Sequence, residues 1–148
     1  MTSVTVPIEL RWGDQDPYGH INNVAVLRIL EEARARAFWS SPGPSGPSGV
    51  FPPLDPDQQI WALVADFHLK YRKQLPYQRE PVLVEMSIPR VGGASLVIDY
   101  AVKVSAHAAP CVTAQSTLVM VDRDSGSPQR LSSEVRQRLL DYSSEPQP

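Results

Sequence analysis

The chain has 148 residues, of which 42% are hydrophobic and 20% charged, with a formal net charge of −2. That length suits a single domain that buries about 68–70% of its unfolded surface and needs neither disulfides nor a structural metal. The lone Cys111 excludes an intramolecular disulfide and a cysteine-rich zinc site, and near-balanced charge without a long basic run argues against nucleic-acid binding.

Val4, Val6, Ile8, Leu10 and Trp12 alternate with Thr5, Pro7, Glu9 and Arg11. This predicts a half-buried strand, at a sheet edge because Pro7 has no N–H for a ladder. Gly13 to Ile21 is loop by composition. From Asn23 the period changes: Val26, Leu27, Leu30, Ala33, Ala37 and Phe38 recur at helical spacing, while Arg28, Glu32 and Arg36 fall towards solvent. Asn22 or Asn23 is a natural N-cap, and the helix stops at Ser40-Ser41-Pro42.

Residues 40–57 hold six prolines and three glycines in 18 positions. Such a composition builds no packed element, so a mobile surface loop is expected there: a lid, a spacer against a neighbouring subunit, or a tolerated insertion. Ile60–Tyr71 predicts a long strand with Trp61, Leu63, Ala65, Phe67, Leu69 and Tyr71 on one face. Three more strands follow, carried by Val82 to Ile88, Ile98 to Val104 and Val112 to Val121, with turns at Val91-Gly92-Gly93 and Asp122 to Gly126. Ser132 to Tyr142 predicts a short helix capped by Ser132 or Ser133, and 143–148 a disordered tail. One long helix facing five antiparallel strands is an α+β layer arrangement, here in a single domain over 1–148. No apolar run approaches the ~18 residues of a membrane span, and Met1 to Pro7 lacks the regions of a secretory signal. A cytoplasmic protein with no membrane partner is expected.

The stretch Gly13 to Asn23 is the densest in chemistry, with two carboxylates, an imidazole, two turn glycines and two asparagines at the helix start. A carboxylate aimed at a carbonyl beside free helix-start N–H groups is equipment for acyl chemistry. Asp16 is either that carboxylate or simply the acceptor of an Asx turn ahead of Pro17. The N–H groups of Asn22, Asn23 and Val24 are candidate oxyanion donors, since a helix start leaves about four donors free and carries partial positive charge. His20 can orient Asp16, polarise a carbonyl, handle a proton or bond to backbone. Asp14 suits the holding of the turn, and Glu31 suits pairing with Arg28 or Arg34. Arg72, Lys73, Arg90 and Lys103 are candidate phosphate contacts. Cys111 fits a small buried hydrophobe.

Asp14-x-Asp16-Pro17-x-Gly19-His20-x-Asn22-Asn23, followed by Glu31-Glu32-Ala33-Arg34, resembles the signature of the 4-hydroxybenzoyl-CoA thioesterase-type hotdog proteins. Phe67 to Tyr77 resembles the family's second strand and its exit, and Arg90 to Ser95 its next turn. The resemblance runs from about Val4 to Leu140 and implies a hotdog fold, a long helix wrapped by a five-stranded antiparallel sheet. It also implies a homo-oligomer, a dimer pairing sheets edge to edge with active sites at the interface, or a tetramer of such dimers. The implied activity is acyl-CoA hydrolysis with no metal or cofactor, coenzyme A being part of the substrate. Carried over by position, the catalytic carboxylate falls on Asp16 and the oxyanion-binding N–H on Asn23; His20 is a third catalytic candidate on its own chemistry. Asn22, Val24, Val26, Tyr71, Arg90 and Ser95 are the candidate substrate contacts. Val26 stands where the family often has an aromatic residue, and the loop at 40–57 is unusually long. Two other readings stay open: a hotdog hydratase or dehydratase, and a non-catalytic acyl-CoA-binding module.

Overall fold

The computed structural model describes residues 3–43 and 49–143. Strand β1 (Val4–Ile8) leads through a single 3-10 turn (Trp12–Asp14) to helix α1 (Asn23–Phe38). There follow β2 (Ile60–Tyr71), β3 (Val82–Val91), β4 (Ser95–Lys103), β5 (Val112–Asp122) and helix α2 (Ser133–Leu140). The strands form one antiparallel sheet in the order β1-β3-β4-β5-β2. This is the expected α+β hotdog fold: α1 lies on the sheet, and its apolar stripe of Val26, Ile29, Leu30, Ala33 and Phe38 is buried. Beneath it lie alternate strand residues, among them Val84, Met86 and Ile88 of β3, Ile98 of β4, and Leu118 and Met120 of β5. Each such fully buried aliphatic side chain contributes about 1.5–3 kcal/mol relative to exposure. Tyr100 and Ser116, both buried on this face, satisfy each other, the hydroxyl meeting Ser116 Oγ at 2.6 Å. No helix among the described residues is long and apolar enough to cross a membrane.

Four expectations change. The alternation from Val4 runs on to Trp12, but the ladder ends where Ile8 meets Val82, because Pro81 precedes Val82 and offers no N–H. Trp12 is therefore solvent-exposed, its ring edge-on to Tyr77. The second change is in β2, whose register against β5 slips between Val64 and Asp66. Trp61 and Leu63 lie opposite Val121 and Val119, whereas Phe67, Leu69 and Tyr71 lie opposite Ser116, Ala114 and Val112. Odd and even positions of β5 point to opposite faces, so the two halves of the β2 alternation do too; one bulge residue inverts the phase.

Third, the proline-rich segment is anchored on its C-terminal side. Phe51 donates its N–H to Phe38 O at 2.9 Å and accepts from Ser40 N–H at 2.9 Å. Val50 and Phe51 are buried in the core, and the Phe51 ring stacks on Trp39 at 4.9 Å. Two apolar side chains among the prolines suffice to pin a segment that has no regular structure. Residues 44–48 of that loop lie outside the described residues, as do 144–148 of the predicted tail. Fourth, Ser143, the first residue of that tail, is buried rather than loose.

Candidate active site

The loop between β1 and α1 is built by its own side chains. Asp14, nearly buried, accepts the Arg11 backbone N–H on Oδ2 at 2.9 Å and the Arg11 guanidinium on Oδ1 at 3.0 and 3.2 Å. Asp16 closes the next turn: its Oδ1 accepts the N–H groups of Tyr18 at 2.8 Å and His20 at 3.1 Å. Gly19 sits at φ +81°, a left-handed geometry that a side chain would strain, and donates to Asp16 O at 3.2 Å. The loop is then tied to the rest of the fold. Ile21 donates to Leu75 O at 2.8 Å, and Asn22 to Asp14 O at 2.7 Å.

The helix start accounts for its donors one by one. Asn22 is the N-cap, its side-chain oxygen accepting from Val24 N–H at 2.8 Å. The N–H groups of Asn22 and Val24 are thus both engaged, which withdraws them as oxyanion donors. The Asn23 N–H has no acceptor among the described residues. Asn22→Ala is expected to destabilise the protein by about 1 kcal/mol through loss of this cap, read as a lowered urea midpoint.

Asp16, His20, Asn22 and Asn23 line one cleft of about 730 Å³ with Tyr18, Ile21, Tyr71, Lys73, Gln74 and Leu75. Asp16 Oδ2 has no hydrogen-bond partner among the described residues, so one oxygen holds the turn and the other is free. The His20 imidazole likewise makes no hydrogen bond there. Lys73 is the only lysine or arginine lining the cleft, and no carboxylate pairs with it among the described residues. Partial burial raises the pKa of the Tyr71 hydroxyl, which keeps it protonated and able to donate at neutral pH. Among the described residues no three His, Cys, Asp or Glu side chains gather to hold a metal ion.

The other predicted contacts lie elsewhere. Val26 is fully buried in the core beneath α1 and does not reach the cleft, because its position on the helix faces the sheet. Val24 is exposed at the helix start, beside the cleft rather than in its lining. Arg90 and Ser95 flank the β3–β4 turn. The register puts that turn at the end of the sheet away from Val82, and hence away from the Asp16 loop that follows Ile8. Of the candidate phosphate cations, Arg72 donates to Thr113 Oγ1 at 3.0 Å, Lys103 pairs with Glu85 at 3.3 Å, and only Lys73 reaches the cleft. Glu31 is ion-paired on the helix surface with Arg28 at 3.0 Å and with Arg34 at 3.9 Å. Cys111 is buried. Tyr18, Gln74 and Leu75 are lining residues that sequence reasoning missed. The Leu75-Pro76 pair was the available signal, since a chain leaving a strand into proline must turn, here against His20.

Fold and cleft together define a hotdog domain with a half-free carboxylate beside an open helix start, the layout of an acyl-group enzyme. The sequence matches the model of the thioesterase-like superfamily over residues 10–139, and the chain belongs to that superfamily of thioester hydrolases. It is 26% identical over 134 residues to the uncharacterized protein YsmA of Bacillus subtilis strain 168, covering 90% of this chain and 82% of YsmA. Among solved structures it resembles a predicted thioesterase from Bacillus stearothermophilus, with a TM-score of 0.77 and 24% identity over 99% of this chain and 100% of that one. It also resembles a thioesterase from Thermus thermophilus complexed with coenzyme A and Zn, with a TM-score of 0.71 and 25% identity over 97% of this chain and 96% of that one.

Proposed function

We propose that the protein hydrolyses an acyl-CoA thioester to the free acid and coenzyme A. The observation that carries this reading is the pairing, in one cleft, of the unbonded Asp16 Oδ2 with the unengaged Asn23 N–H. Asp16 either takes a proton from the attacking water or adds to the carbonyl itself. In both cases the carbonyl oxygen gains charge as the new C–O bond forms, and the Asn23 N–H at the positive end of α1 stabilises it. One such donor is typically worth about 3–4 kcal/mol. The C–S bond then breaks, and the thiolate leaves and takes up a proton; on the nucleophilic route water then cleaves the Asp16–acyl anhydride, releasing the free acid and restoring the carboxylate. His20 and the Tyr71 hydroxyl line the same cleft as Asp16 and are the candidate donors of the thiolate's proton.

Water is the only co-substrate this chemistry needs. Lys73 suits a coenzyme A phosphate at the cleft mouth. Lys73→Ala is expected to raise KM for acyl-CoA about tenfold with little change in kcat, and the wild-type KM should rise with salt while that of the variant barely moves. A substrate of this kind fits a cytoplasmic setting.

A homodimer completes the reading. The 12 residues of β2 form an open sheet edge, and Ile60, Trp61, Leu63 and Val64 on it are exposed. A long apolar edge left bare invites strand pairing, and a second copy of the same strand satisfies it. The direct test is thiol release across a panel of acetyl-, decanoyl-, branched and aromatic acyl-CoAs. Turnover of at least one is expected. Tight binding without thiol release would instead make the protein a binding module, and loss of the enoyl absorbance of crotonyl-CoA a hydratase.

A further inference from the structure

Trp12 stands ahead of the Asp16 loop with 76% of its surface exposed, and the chemistry proposed for that loop makes no use of it. One exposed apolar side chain is ordinary. This one belongs to a group. Its ring meets the Tyr77 ring at 5.7 Å and 76°, and Tyr18 and Tyr71, both exposed, line the adjoining cleft. Whichever ring of the pair offers its edge, the indole keeps a broad face open to solvent.

The pair is fixed in place and close to the cleft. The Trp12 carbonyl accepts the Gln15 backbone N–H at 3.4 Å and the Gln15 side-chain amide at 3.2 Å, while the neighbouring Arg11 is clamped to Asp14. Leu75, a lining residue, accepts the Ile21 N–H at 2.8 Å; His20 pairs with Pro76, and Tyr77 follows. Tyr77 is two residues from Leu75, about 7 Å of chain at most, and Trp12 is four from Asp16, about 14 Å at most. A thioester seated at Asp16 therefore has the ring pair within the length of its pantetheine arm. Charge completes the arrangement. Lys73 lies in the cleft, and Arg79, two residues past Tyr77, is exposed and pairs with no carboxylate among the described residues. A flat aromatic corner between two cations matches a flat base that carries phosphates.

We propose that Trp12 and Tyr77 receive the adenine base of a coenzyme A thioester, with Lys73 and Arg79 serving its phosphates. Stacking of a base on an aromatic side chain is worth roughly tenfold to a hundredfold in affinity, and a platform already held rigid loses little entropy on binding. The substrate is then recognised by its nucleotide, which a thioester on a carrier protein lacks. This rests on the thioesterase reading and gives the physical basis for coenzyme A over a carrier protein.

Nucleotide binding is read without turnover. Titration with 3′,5′-ADP, the nucleotide end of coenzyme A, is expected to quench the wild-type tryptophan fluorescence saturably. The quench should vanish in Trp12→Phe, which keeps Trp39 and Trp61; circular dichroism checks that this exposed substitution leaves the fold intact. A wild type that shows no quench, or a quench that persists in Trp12→Phe, overturns the proposal. A wild type quenched by 3′,5′-ADP that releases no thiol from any acyl-CoA overturns the thioesterase reading and leaves the base platform standing.

Steady-state kinetics give the second reading, on the acyl group turned over best in the panel. Trp12→Ala is expected to raise KM for its coenzyme A thioester about tenfold with kcat unchanged. The KM for the same acyl group on 4′-phosphopantetheine, which has no base to stack, should not move. Trp12→Phe, which keeps a ring, should recover part of the loss. An equal rise in KM for both thioesters makes Trp12 a structural residue and overturns the proposal.

Discussion

Asp16→Asn is expected to slow thioester hydrolysis by about 10²–10⁴-fold while leaving the fold and the oligomer in place. The two expectations have separate physical origins in one side chain. Asp16 Oδ1 accepts the Tyr18 and His20 N–H groups at 2.8 and 3.1 Å, and an asparagine oxygen accepts both in the same positions. The turn persists, weakened only by the difference between a charged and a neutral acceptor. Oδ2, which has no partner among the described residues, becomes an NH₂ group that can neither take a proton nor attack a carbonyl. Steady-state thiol release checks the rate, and circular dichroism with light scattering checks the structure. An unchanged rate would remove Asp16 from the chemistry. Asp14→Asn makes the contrast: its carboxylate is spent on Arg11, so its loss should appear first as lowered stability.

A second large effect is expected from the open sheet edge. Leu63→Lys combined with Val64→Lys should raise the dimer dissociation constant by about a hundredfold or more, equivalent to ~2.8 kcal/mol. A two-fold axis runs the two edges antiparallel, so each new lysine is carried into the seam against its partner strand, where its charge loses water without gaining a counter-ion, and lysines on edge strands are a common natural guard against strand pairing. Both positions are exposed in the chain, Leu63 at 48% and Val64 at 45%, so the protomer itself should remain folded. Sedimentation velocity over a concentration series reads the dissociation. A variant that stays dimeric would mean that the subunits meet elsewhere.

Most of the fold was legible because its signals are local. The change from two-residue to helical periodicity at Asn23 marks where α1 begins, and the Asn22 cap forms as its side-chain chemistry requires. The edge position of β1 followed from Pro7, which pairs with Leu83 on the outermost strand. Errors arose where a partner far along the chain decides the outcome. The bulge at Ala65 cannot be read from β2 alone, since it is a mismatch in length between β2 and β5. Val50 and Phe51 looked like loop because prolines surround them, yet both are buried in the core among residues distant in sequence.

The candidate site divides along the same line. By itself the sequence determined the turns of the Asp14–Asn23 loop and the helix start, since their side-chain hydrogen bonds join residues two to four positions apart. Tertiary structure decided the rest. The register carries Tyr71 and Lys73 to that loop, sends Arg90 and Ser95 to the opposite end of the sheet, and turns Val26 into the core. It also decided which donor stays open, because the Asn22 and Val24 N–H groups are engaged and the Asn23 N–H is not. Side-chain type and short spacing settle a turn or a cap. A cleft needs elements distant in sequence to meet, and that meeting is governed by strand register and by which apolar faces find each other.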